Sequence, residues 1–486
     1  MGDASGPLVQ QLCAIVGPAH VLQGHAELLP YMTDANRAFR GTPLCAVAPG
    51  SAAEVAAVVS ACRAAGVGFV PRGAGTGLSG GATPGDGEVV ISLARLRRIV
   101  SVSERSRMAV VEPGVINTHL SRFVAPLGLY YAPDPSSQSA CTIGGNVAEN
   151  SGGAHCLKYG VTTNHVLGLE VVLPDGAIVR TGVLGPRCGG YDLTGLFCGS
   201  EGTLGIVTQI AVRLLRRPEA VRTALALFRS VEDAARAVEE VTTSAAVPAA
   251  MELMDAHAIS AVEKGTYPVG FPDWVGASLL IEFDGLAVGL DDHVQAALDV
   301  CQRCGVVEAR SAQTPEERGR WWNNRKAAFA AMGRVAPAYY VADGVIPRTA
   351  LRQVLDQARR IADQEGLWLA NVFHAGDGNL HPLLAYDPAQ SGQAEAVMEV
   401  GSAILAACVY AGGAVSGEHG IGLEKRDELY YYFDEEDIAA QRRVHDALDP
   451  ADTANPHKLL PRPGRCVEVR RAAWDPRATV AGGGRS

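Results

Sequence analysis

The stretch that decides the fold of this chain is Pro71-Arg72-Gly73-Ala74-Gly75-Thr76-Gly77-Leu78-Ser79-Gly80-Gly81, which follows the strand-like segment VGFVP. Its glycines match the G-x-G-x-x-G pattern of dinucleotide-binding folds, in which the motif must open a helix. The next residues, ATPGDG at 82–87, break a helix, and the strand-like segment EVVISL follows at once. We therefore exclude a Rossmann-type helix and predict a loop whose backbone N–H groups cradle a phosphate, with Arg72 adding positive charge.

Two more glycine clusters follow this loop along the chain. PDPSSQSACTIGGN at 133–146 leads to NSGG at 150–153, and GSEGTLGI occupies 199–206. One such loop would be an ordinary surface turn, but three in one region are typical of a cofactor-binding domain. A capping box of Ser51 and Glu54 predicts a helix over AAEVAAVVSACRAAG, and PDG at 174–176 predicts a hairpin turn.

Length and charge narrow the class of protein. A chain of 486 residues is too long for one core, so we expect two or three domains. The net charge of −10 argues against nucleic acid as a partner. We find no apolar run of about 18 residues and no basic signal-peptide start, so we expect no transmembrane segment and a cytoplasmic protein. Cys301 and Cys304 form a lone CxxC, which we interpret as two thiols on one helix face rather than a metal site.

The pattern changes near residue 219. Segments such as ALALFRS, SVEDAARAVEEV, AAMELMD and ASLLIEFDG alternate strand and helix periodicities. Their order predicts an antiparallel sheet covered by helices on one face, an α+β arrangement. Residues 470–486 are predicted to be a polar tail.

A second group of polar residues lies in NVFHAGDGNLHPL at 371–383 and GEHGIG at 417–422. The GDGN turn between His374 and His381 can fold the chain into a hairpin that brings the two imidazoles together. With Glu418 they would form a ligand set for zinc or another divalent ion that leaves positions open for substrate. The alternative is a hydrogen-bonded polar cluster around a buried turn.

The three glycine clusters resemble, in order, the FAD-binding domain of the vanillyl-alcohol-oxidase type, also called the PCMH fold. The resemblance covers roughly residues 38–217. It implies an α+β protein: a PCMH-type FAD-binding domain of two α/β subdomains, then an α+β cap domain with an antiparallel sheet and a C-terminal helical segment. We predict a helical segment at 1–37, the FAD domain at 38–217, a substrate or cap domain with a C-terminal FAD-oxidase segment at 218–461, and a tail at 462–486.

The resemblance also implies which residues bind FAD. Thr76 stands where members with covalent flavin often carry a histidine, so we expect non-covalent FAD; His155 is the alternative attachment point. The predicted cofactor contacts are Pro71, Arg72, Gly73, Ala74, Gly75, Thr76, Gly77, Leu78, Ser79, Pro133, Asp134, Thr142, Gly144, Gly145, Asn150, Gly152, Gly160, Glu201, Gly205 and Ile206.

The histidine segments resemble the D-2-hydroxyacid dehydrogenase branch of these flavoenzymes, which carries HxGDGNxH and GEHGIG. This resemblance implies that His374, His381 and Glu418 hold a divalent metal, zinc or manganese, and that His419 is the catalytic base. It also implies that an arginine binds the substrate carboxylate, and WWNNRKAAF offers Arg325. The alternative for Arg325 is a charge on a helix surface.

Within this branch the sequence is similar to the FAD-linked subunits of bacterial glycolate oxidase, notably in GRVAPAYYVADGVIPR and NPHKLLP. Members acting on 2-hydroxyglutarate have a lysine and an asparagine where this chain has Val341 and Leu383, so a second carboxylate would be unpaired here. The resemblance thus implies oxidation of glycolate or D-lactate, with companion flavin and iron–sulfur subunits as electron acceptors, at the inner face of the membrane if the enzyme is peripheral. The alternatives are a stand-alone D-lactate dehydrogenase and a flavin electron-transfer subunit without a substrate site.

Overall fold

The first layer of the fold is a small mostly parallel sheet that carries the glycine-rich loop. The computed structural model describes residues 5–185, 190–244 and 246–461, and the predicted tail at 462–486 lies outside them. The sheet order is β1-β2-β4-β3, with β2, β4 and β3 parallel and β1 antiparallel. The elements here are α1 (Ser5–Val16), β1 (Val21–Leu22), α2 (His25–Leu28), β2 (Cys45–Val47), α3 (Ala52–Ala65), β3 (Phe69–Arg72) and β4 (Val89–Ser92).

The glycine-rich loop connects β3 to its parallel neighbour β4 without a helix. The exclusion of a Rossmann-type helix is therefore confirmed. Gly75 has a φ of +69°, and a Cβ atom there would lie 2.1 Å from the guanidinium of Arg72. The predicted helix α3 is also present, and the Ser51 hydroxyl accepts a hydrogen bond from the Glu54 backbone N–H at 3.1 Å.

The second layer is a five-stranded antiparallel sheet of order β5-β6-β10-β8-β9, beside a two-stranded pair of β7 and β11. The predicted PDG turn joins β8 to β9 as a hairpin, with Val172 opposite Ile178. The elements are β5 (Ile99–Ser103), β6 (Met108–Val111), α4 (Asn117–Val124), β7 (Leu129–Tyr130), α5 (Ile143–Glu149), α6 (Cys156–Tyr159), β8 (Val166–Val172), β9 (Ile178–Arg180), α7 (Leu193–Phe197), β10 (Ile206–Arg213) and β11 (Leu215–Arg216).

The third layer is the predicted antiparallel sheet of the cap, with nine strands. Its main path is β15-β12-β14-β13-β18-β19-β17, and β20 pairs with both β16 and β18. The elements are β12 (Ala220–Phe228), α8 (Val231–Thr242), β13 (Ala250–Asp255), α9 (Ala256–Glu263), β14 (Ala277–Gly285), α10 (Leu290–Arg303), β15 (Glu308–Ser311), α11 (Pro315–Lys326), α12 (Ala328–Ala331), β16 (Ala338–Val341), β17 (Gly344–Val345), α13 (Leu351–Gln364), β18 (Trp368–His374), β19 (Asn379–Leu380), β20 (Pro382–Tyr386), α14 (Gln393–Tyr410) and α15 (Glu435–Leu448).

Helices cover both faces of this sheet, so the prediction of helices on one face was wrong. Ala226 and Phe228 of β12 pack in one apolar cluster with α8 and α10, whereas Leu225 and Leu227 pack in another with α9 and α11. An uninterrupted apolar strand is typical of a strand buried on both sides. The α+β class itself is confirmed.

The paired thiols of α10 are part of the cap's core. Cys301 lies in the last turn of the helix and Cys304 at its C-terminal cap, and both are buried in the apolar cluster beneath the sheet. This agrees with the structural interpretation of the CxxC pair. Among the described residues no helix is long and apolar enough to cross a membrane.

Candidate active site

A cavity of about 430 Å³ opens where the three glycine clusters meet. The first loop lies at the end of β3, the second precedes and follows α5, and the third precedes β10. Gly73 approaches the second cluster so closely that a Cβ atom would lie 2.5 Å from the Thr142 hydroxyl oxygen. The predicted cofactor residues that line this cavity are Pro71, Arg72, Gly73, Ala74, Gly75, Thr76, Gly77, Leu78, Thr142, Gly144, Gly145, Gly152, Glu201, Gly205 and Ile206.

Five predicted cofactor residues do not line the cavity but hold the surrounding loops in shape. The Ser79 carbonyl accepts hydrogen bonds from the backbone N–H groups of two later residues, and the Pro133 carbonyl accepts one from a buried asparagine. Asp134 binds His155, and the Asn150 side chain accepts from a backbone N–H while its backbone closes α5 in the left-handed region. Gly160, with a φ of +76°, gives another tight turn. Their positions in the glycine-rich motifs therefore did not distinguish these five residues from the residues that line the cavity.

Several cavity residues were not predicted. Asn146 and Glu149, on one turn of α5, are the most informative, because the Asn146 amide nitrogen and one Glu149 carboxylate oxygen are buried without a hydrogen-bond partner. Burial and the neighbouring Glu201 raise the pKa of Glu149 well above its ordinary value. Unpaired buried polar atoms beside a glycine-rich backbone fit a polar cofactor such as FAD. The two residues occur in GGNVAENSGG, where polar residues between glycines were an available signal.

His155, the alternative residue for covalent attachment of the flavin, does not line the cavity. Its Nδ1 lies 2.7 Å from Asp134 and its Nε2 lies 3.1 Å from Glu282 of β14. Burial opposes protonation of the ring, but the two carboxylates outweigh it and raise the pKa of His155 to about 10. His155 therefore belongs to an ionic contact between the glycine-rich layers and the cap sheet.

The two predicted imidazoles meet as the hairpin interpretation requires. His374 ends β18, opposite Asn379 of β19, and its ring lies edge to face with that of His381 at 5.2 Å between centroids. Glu418 completes the group: its carboxylate oxygen lies 3.2 Å from His374 Nε2 and 3.3 Å from His381 Nε2. One ligand atom from each of the three residues lies within 4.8 Å of the others.

This triad fits a divalent cation. Both ring nitrogens of His381 are buried without a hydrogen-bond partner, which is costly unless another group binds there. The other side of His374 is fixed, because its Nδ1 lies 2.7 Å from the buried carboxylate of Glu252. A carboxylate on the second nitrogen is the usual way to orient a metal-binding imidazole. The donor set of two imidazoles and one carboxylate suits zinc or manganese.

Asp343 organises the segment that carries Glu418 and His419, and we did not predict it. Its buried carboxylate accepts hydrogen bonds from the backbone N–H groups of Gly417, Glu418 and His419, and from Lys425 Nζ at 3.0 Å. Burial raises its pKa, but Lys425 and the nearby imidazoles lower it well below the ordinary value. The single aspartate in VADG belongs to no local sequence pattern that could have predicted this role.

His419 lies between the triad and the large cavity, which it helps to line together with Glu418. Its ring stacks on that of His381 with centroids 4.9 Å apart, and its Nδ1 is buried without a partner. Burial is the main cause that lowers its pKa to about 4, with Asp343 opposing and His381 and Lys425 adding to the effect. The imidazole is therefore neutral near pH 7 and able to accept a proton.

Arg325 lies behind the triad. Its Nη2 is 2.6 Å from the Glu252 carboxylate, in contact but not aligned as a hydrogen bond, and its Nε has no hydrogen-bond partner. The side chain is buried at the end of α11, so the interpretation of a helix-surface charge was wrong. Arg325 does not line the large cavity, although Lys326 and Phe329 next to it do.

Comparison with known proteins identifies the family. Residues 43–182 match the FAD binding domain model, and residues 217–459 match the model for FAD linked oxidases, C-terminal domain. The chain is 44% identical to the glycolate oxidase subunit GlcD of Escherichia coli K12, over 92% of this chain and 90% of that protein. It is 32% identical to a D-lactate dehydrogenase of Anaerostipes hadrus, over 91% of this chain and 95% of that protein.

The fold has solved counterparts as well. A crystal structure of p-cresol methylhydroxylase with substrate bound superposes with a TM-score of 0.78 at 17% identity, covering 94% of this chain and 97% of that one. The likeness supports the PCMH-type fold predicted from the glycine clusters. The chain therefore belongs to the FAD-linked oxidases and is a flavin-dependent oxidoreductase of the PCMH type.

Proposed function

We propose that this chain oxidises a small 2-hydroxy monocarboxylate, glycolate or D-lactate, to the 2-oxo acid and passes the electrons to a partner protein. The observation that carries the proposal is that Glu418 and His419 line the same cavity as the glycine-rich loops. The proposed proton acceptor and one of the three proposed metal ligands thus face the space that suits the cofactor. The relatives named glycolate oxidase subunit and D-lactate dehydrogenase support the same substrate class.

His374, His381 and Glu418 would hold a divalent metal, which supplies a Lewis acid that lowers the pKa of a bound hydroxyl. Two neighbouring carboxylates hold this ligand set in position. Glu252 fixes the ring of His374, and Asp343 holds the backbone that carries Glu418. Ligands held in this way lose little freedom when the ion binds.

FAD, bound without a covalent link, would accept the α-hydrogen of the substrate together with the two electrons of that C–H bond. The chain's part is to remove the hydroxyl proton, for which we propose the neutral imidazole of His419 as general base. We also propose Arg325 for the substrate carboxylate, since a guanidinium is suited to carboxylate oxygens. Because Arg325 contacts Glu252 and does not line the cavity, its side chain would have to move to reach the substrate.

The proposed restriction to a short monocarboxylate rests on a cross-strand pair. Val341 of β16 lies directly opposite Leu383 of β20, and both side chains are buried in the same apolar cluster, although neither lines the large cavity. A second carboxylate against this apolar pair would lose its hydration without gaining a partner, which is unfavourable by several kcal/mol in order of magnitude. Glycolate and D-lactate have no second carboxylate.

We propose companion subunits as partners, because the Escherichia coli relative is named a subunit of glycolate oxidase. From the family resemblance we propose that these subunits carry a second flavin domain and iron–sulfur clusters. A protein that hands electrons to such partners would work in the cytoplasm or at the inner face of the membrane. No described residue cluster in the chain other than those around His381 offers three metal-type ligands. Electrons would therefore leave the flavin for a cofactor held elsewhere.

The test is anaerobic reduction of the flavin by candidate acids. We expect glycolate or D-lactate to bleach the flavin absorbance and 2-hydroxyglutarate to leave it unchanged. A chelator should abolish bleaching, and added Zn²⁺ or Mn²⁺ should restore it. If none of these acids reduces the metal-loaded protein, the chain is an electron-transfer subunit and the proposal is wrong.

A further inference from the structure

The cap domain contributes one helical face to the large cavity. Lys326 is the last residue of α11, and Phe329 and Ala330 belong to α12. The backbone between the two helices stays helical, because Ala327 has a φ of −76° and a ψ of −7°. Residues three and four positions apart lie on the same side of a helix, and Lys326, Phe329 and Ala330 all line the cavity. This face therefore places a lysine side chain in the cavity wall.

The same face lies at the histidine end of the cavity. The ring of Phe329 lies edge to face with that of His381, with 5.9 Å between centroids. Side chains three residues apart on a helix are neighbours, with about 5–6 Å between their Cβ atoms. Lys326 is thus one helical turn from a ring that contacts the proposed metal triad, in the part of the cavity where we place the substrate.

The charge of Lys326 is not used by the protein itself. Of the described residues that line the cavity, Arg72 and Lys326 are the arginine and lysine residues. The Arg72 guanidinium donates hydrogen bonds to the carbonyl oxygens of Pro30 at 2.8 Å and Ala82 at 3.2 Å. Arg325, the neighbour of Lys326, does not line the cavity. Lys326 is exposed, and no hydrogen bond or ion pair joins its ammonium group to any residue that the structure describes.

An aromatic ring holds the ammonium group of Lys326 in place. Its Nζ lies 5.6 Å from the centroid of the Trp322 ring, a cation–π distance. Trp322 is itself fixed, because its Nε1 donates a hydrogen bond to the buried Glu282 carboxylate at 2.6 Å and its ring stacks on that of His155. A cation–π contact uses none of the three N–H donors, so all three are free to bind an anion.

We propose that Lys326 binds the carboxylate of the substrate as it enters the cavity, an inference that rests on the proposed oxidation of a 2-hydroxy acid. The chain has a net charge of −10, which disfavours the approach of an anion, and a cation in the cavity wall attracts it locally. Three rotatable N–H donors can follow a carboxylate that is still moving. Lys326 is then a binding residue, which sets the affinity for the acid rather than the rate of the oxidation step.

The test follows anaerobic flavin reduction by glycolate and D-lactate in a stopped-flow instrument, with the full-length protein loaded with FAD and metal. In the Lys326→Met variant we expect the apparent dissociation constant of the acid to rise about fivefold at low ionic strength, the upper range for an exposed ion pair. The limiting rate of reduction should be nearly unchanged. The difference from the unsubstituted protein should disappear in about 1 M salt, where the Debye length is about 3 Å.

Two further variants separate charge from structure. The Lys326→Arg variant keeps the charge and should keep the low dissociation constant. The matched control is Lys264→Met, because Lys264 is an exposed lysine after α9 that does not line the cavity. An unchanged dissociation constant in Lys326→Met, an equal rise in Lys264→Met, or a loss confined to the limiting rate would each overturn the proposal.

A non-oxidisable acid distinguishes failure of this inference from failure of the proposed function. Acetate has the carboxylate without the hydroxyl, and its binding is followed by the change in flavin absorbance. If neither acid reduces the flavin of the unsubstituted protein, the proposed function is wrong, but acetate still tests Lys326. We expect acetate to bind about fivefold more weakly to Lys326→Met than to Lys264→Met, and equal binding would overturn the proposal. Weaker binding of FAD to the Lys326→Met apoprotein would place the ammonium group on the cofactor and would also overturn it.

Discussion

Replacing Glu252 by glutamine should damage both the stability of the cap and its metal affinity, although Glu252 is in neither histidine motif. Its side chain is 1% exposed and lies 2.7 Å from His374 Nδ1 and 2.6 Å from Arg325 Nη2, whose side chain is 5% exposed. Glutamine has almost the same shape, so the Glu252→Gln variant removes the negative charge while leaving the packing nearly unchanged.

The expected loss in the free energy of unfolding follows from the two partners of Glu252, His374 and Arg325. Removing one member of a buried ion pair costs about 3–5 kcal/mol, because the remaining charge stays buried without compensation. The glutamine oxygen can still accept from one partner, so we expect the lower end, about 3 kcal/mol. Loss of the carboxylate that orients a metal-binding histidine typically costs about 10- to 100-fold in metal affinity, and we expect that loss for the ion that we propose His374 binds.

The assay combines urea unfolding of the cap, followed by tryptophan fluorescence, with metal competition against a chromophoric chelator. The matched control is Glu112→Gln, because Glu112 is equally buried but its partner Arg98 is 76% exposed and can return to water. We expect the control to shift the unfolding midpoint far less and to leave metal affinity unchanged. Equal midpoint shifts in the two variants, or unchanged metal affinity in Glu252→Gln, would refute the reasoning.

The remaining predictions concern the base, the loop and the substrate. The His419→Asn variant should retain FAD and metal but lose flavin reduction by substrate in stopped-flow absorbance, and rapid reduction would remove His419 from the role of base. Gly75→Ala should weaken FAD binding at least tenfold by fluorescence titration, because its Cβ would lie 2.1 Å from a guanidinium nitrogen. Gly87→Ala, with a similar positive φ but no atom within 4 Å, should have little effect on FAD, and equal losses would contradict the steric argument. Combining Val341→Lys with Leu383→Asn should shift the ratio of flavin-reduction rates toward 2-hydroxyglutarate, and an unchanged ratio would show that this pair does not select the substrate.

The sequence predicts those parts of the structure that depend on neighbouring residues. A helix after the loop at 71–81 could be excluded from the sequence because proline and glycine restrict the backbone locally. The hairpin between His374 and His381 could be predicted from the GDGN turn alone. The sequence also contained a signal that helices cover both faces of the cap sheet. ALALF at 224–228 has no polar alternation, which indicates a strand buried on both sides.

The residues that orient the site could not be predicted in the same way. Glu252 lies on β13, and Asp343 lies between β16 and β17, both far in sequence from the histidines they contact. Their contacts exist only after the strands are placed. Glu252 did carry one local signal, since a charge in the centre of the apolar strand AMELMD must find a buried partner. Membership of the glycine-rich motifs was also not enough to predict cavity contact at Ser79 and Gly160, which do not line the cavity.

The charges around the triad explain why these supporting residues belong to the chemistry. The carboxylates of Glu252 and Asp343 are buried and that of Glu418 is partly buried, and they face the two buried cations Arg325 and Lys425. Burial opposes protonation of His374, but Glu252 and Glu418 raise its pKa well above the ordinary value, so without a metal the ring carries a third positive charge. The divalent ion that we propose would replace that proton and leave one net positive charge. A substrate with a single carboxylate then makes the site neutral, whereas a second carboxylate would leave a negative charge buried beside Val341 and Leu383. The charge balance and the apolar pair therefore both support the proposed restriction to a monocarboxylate.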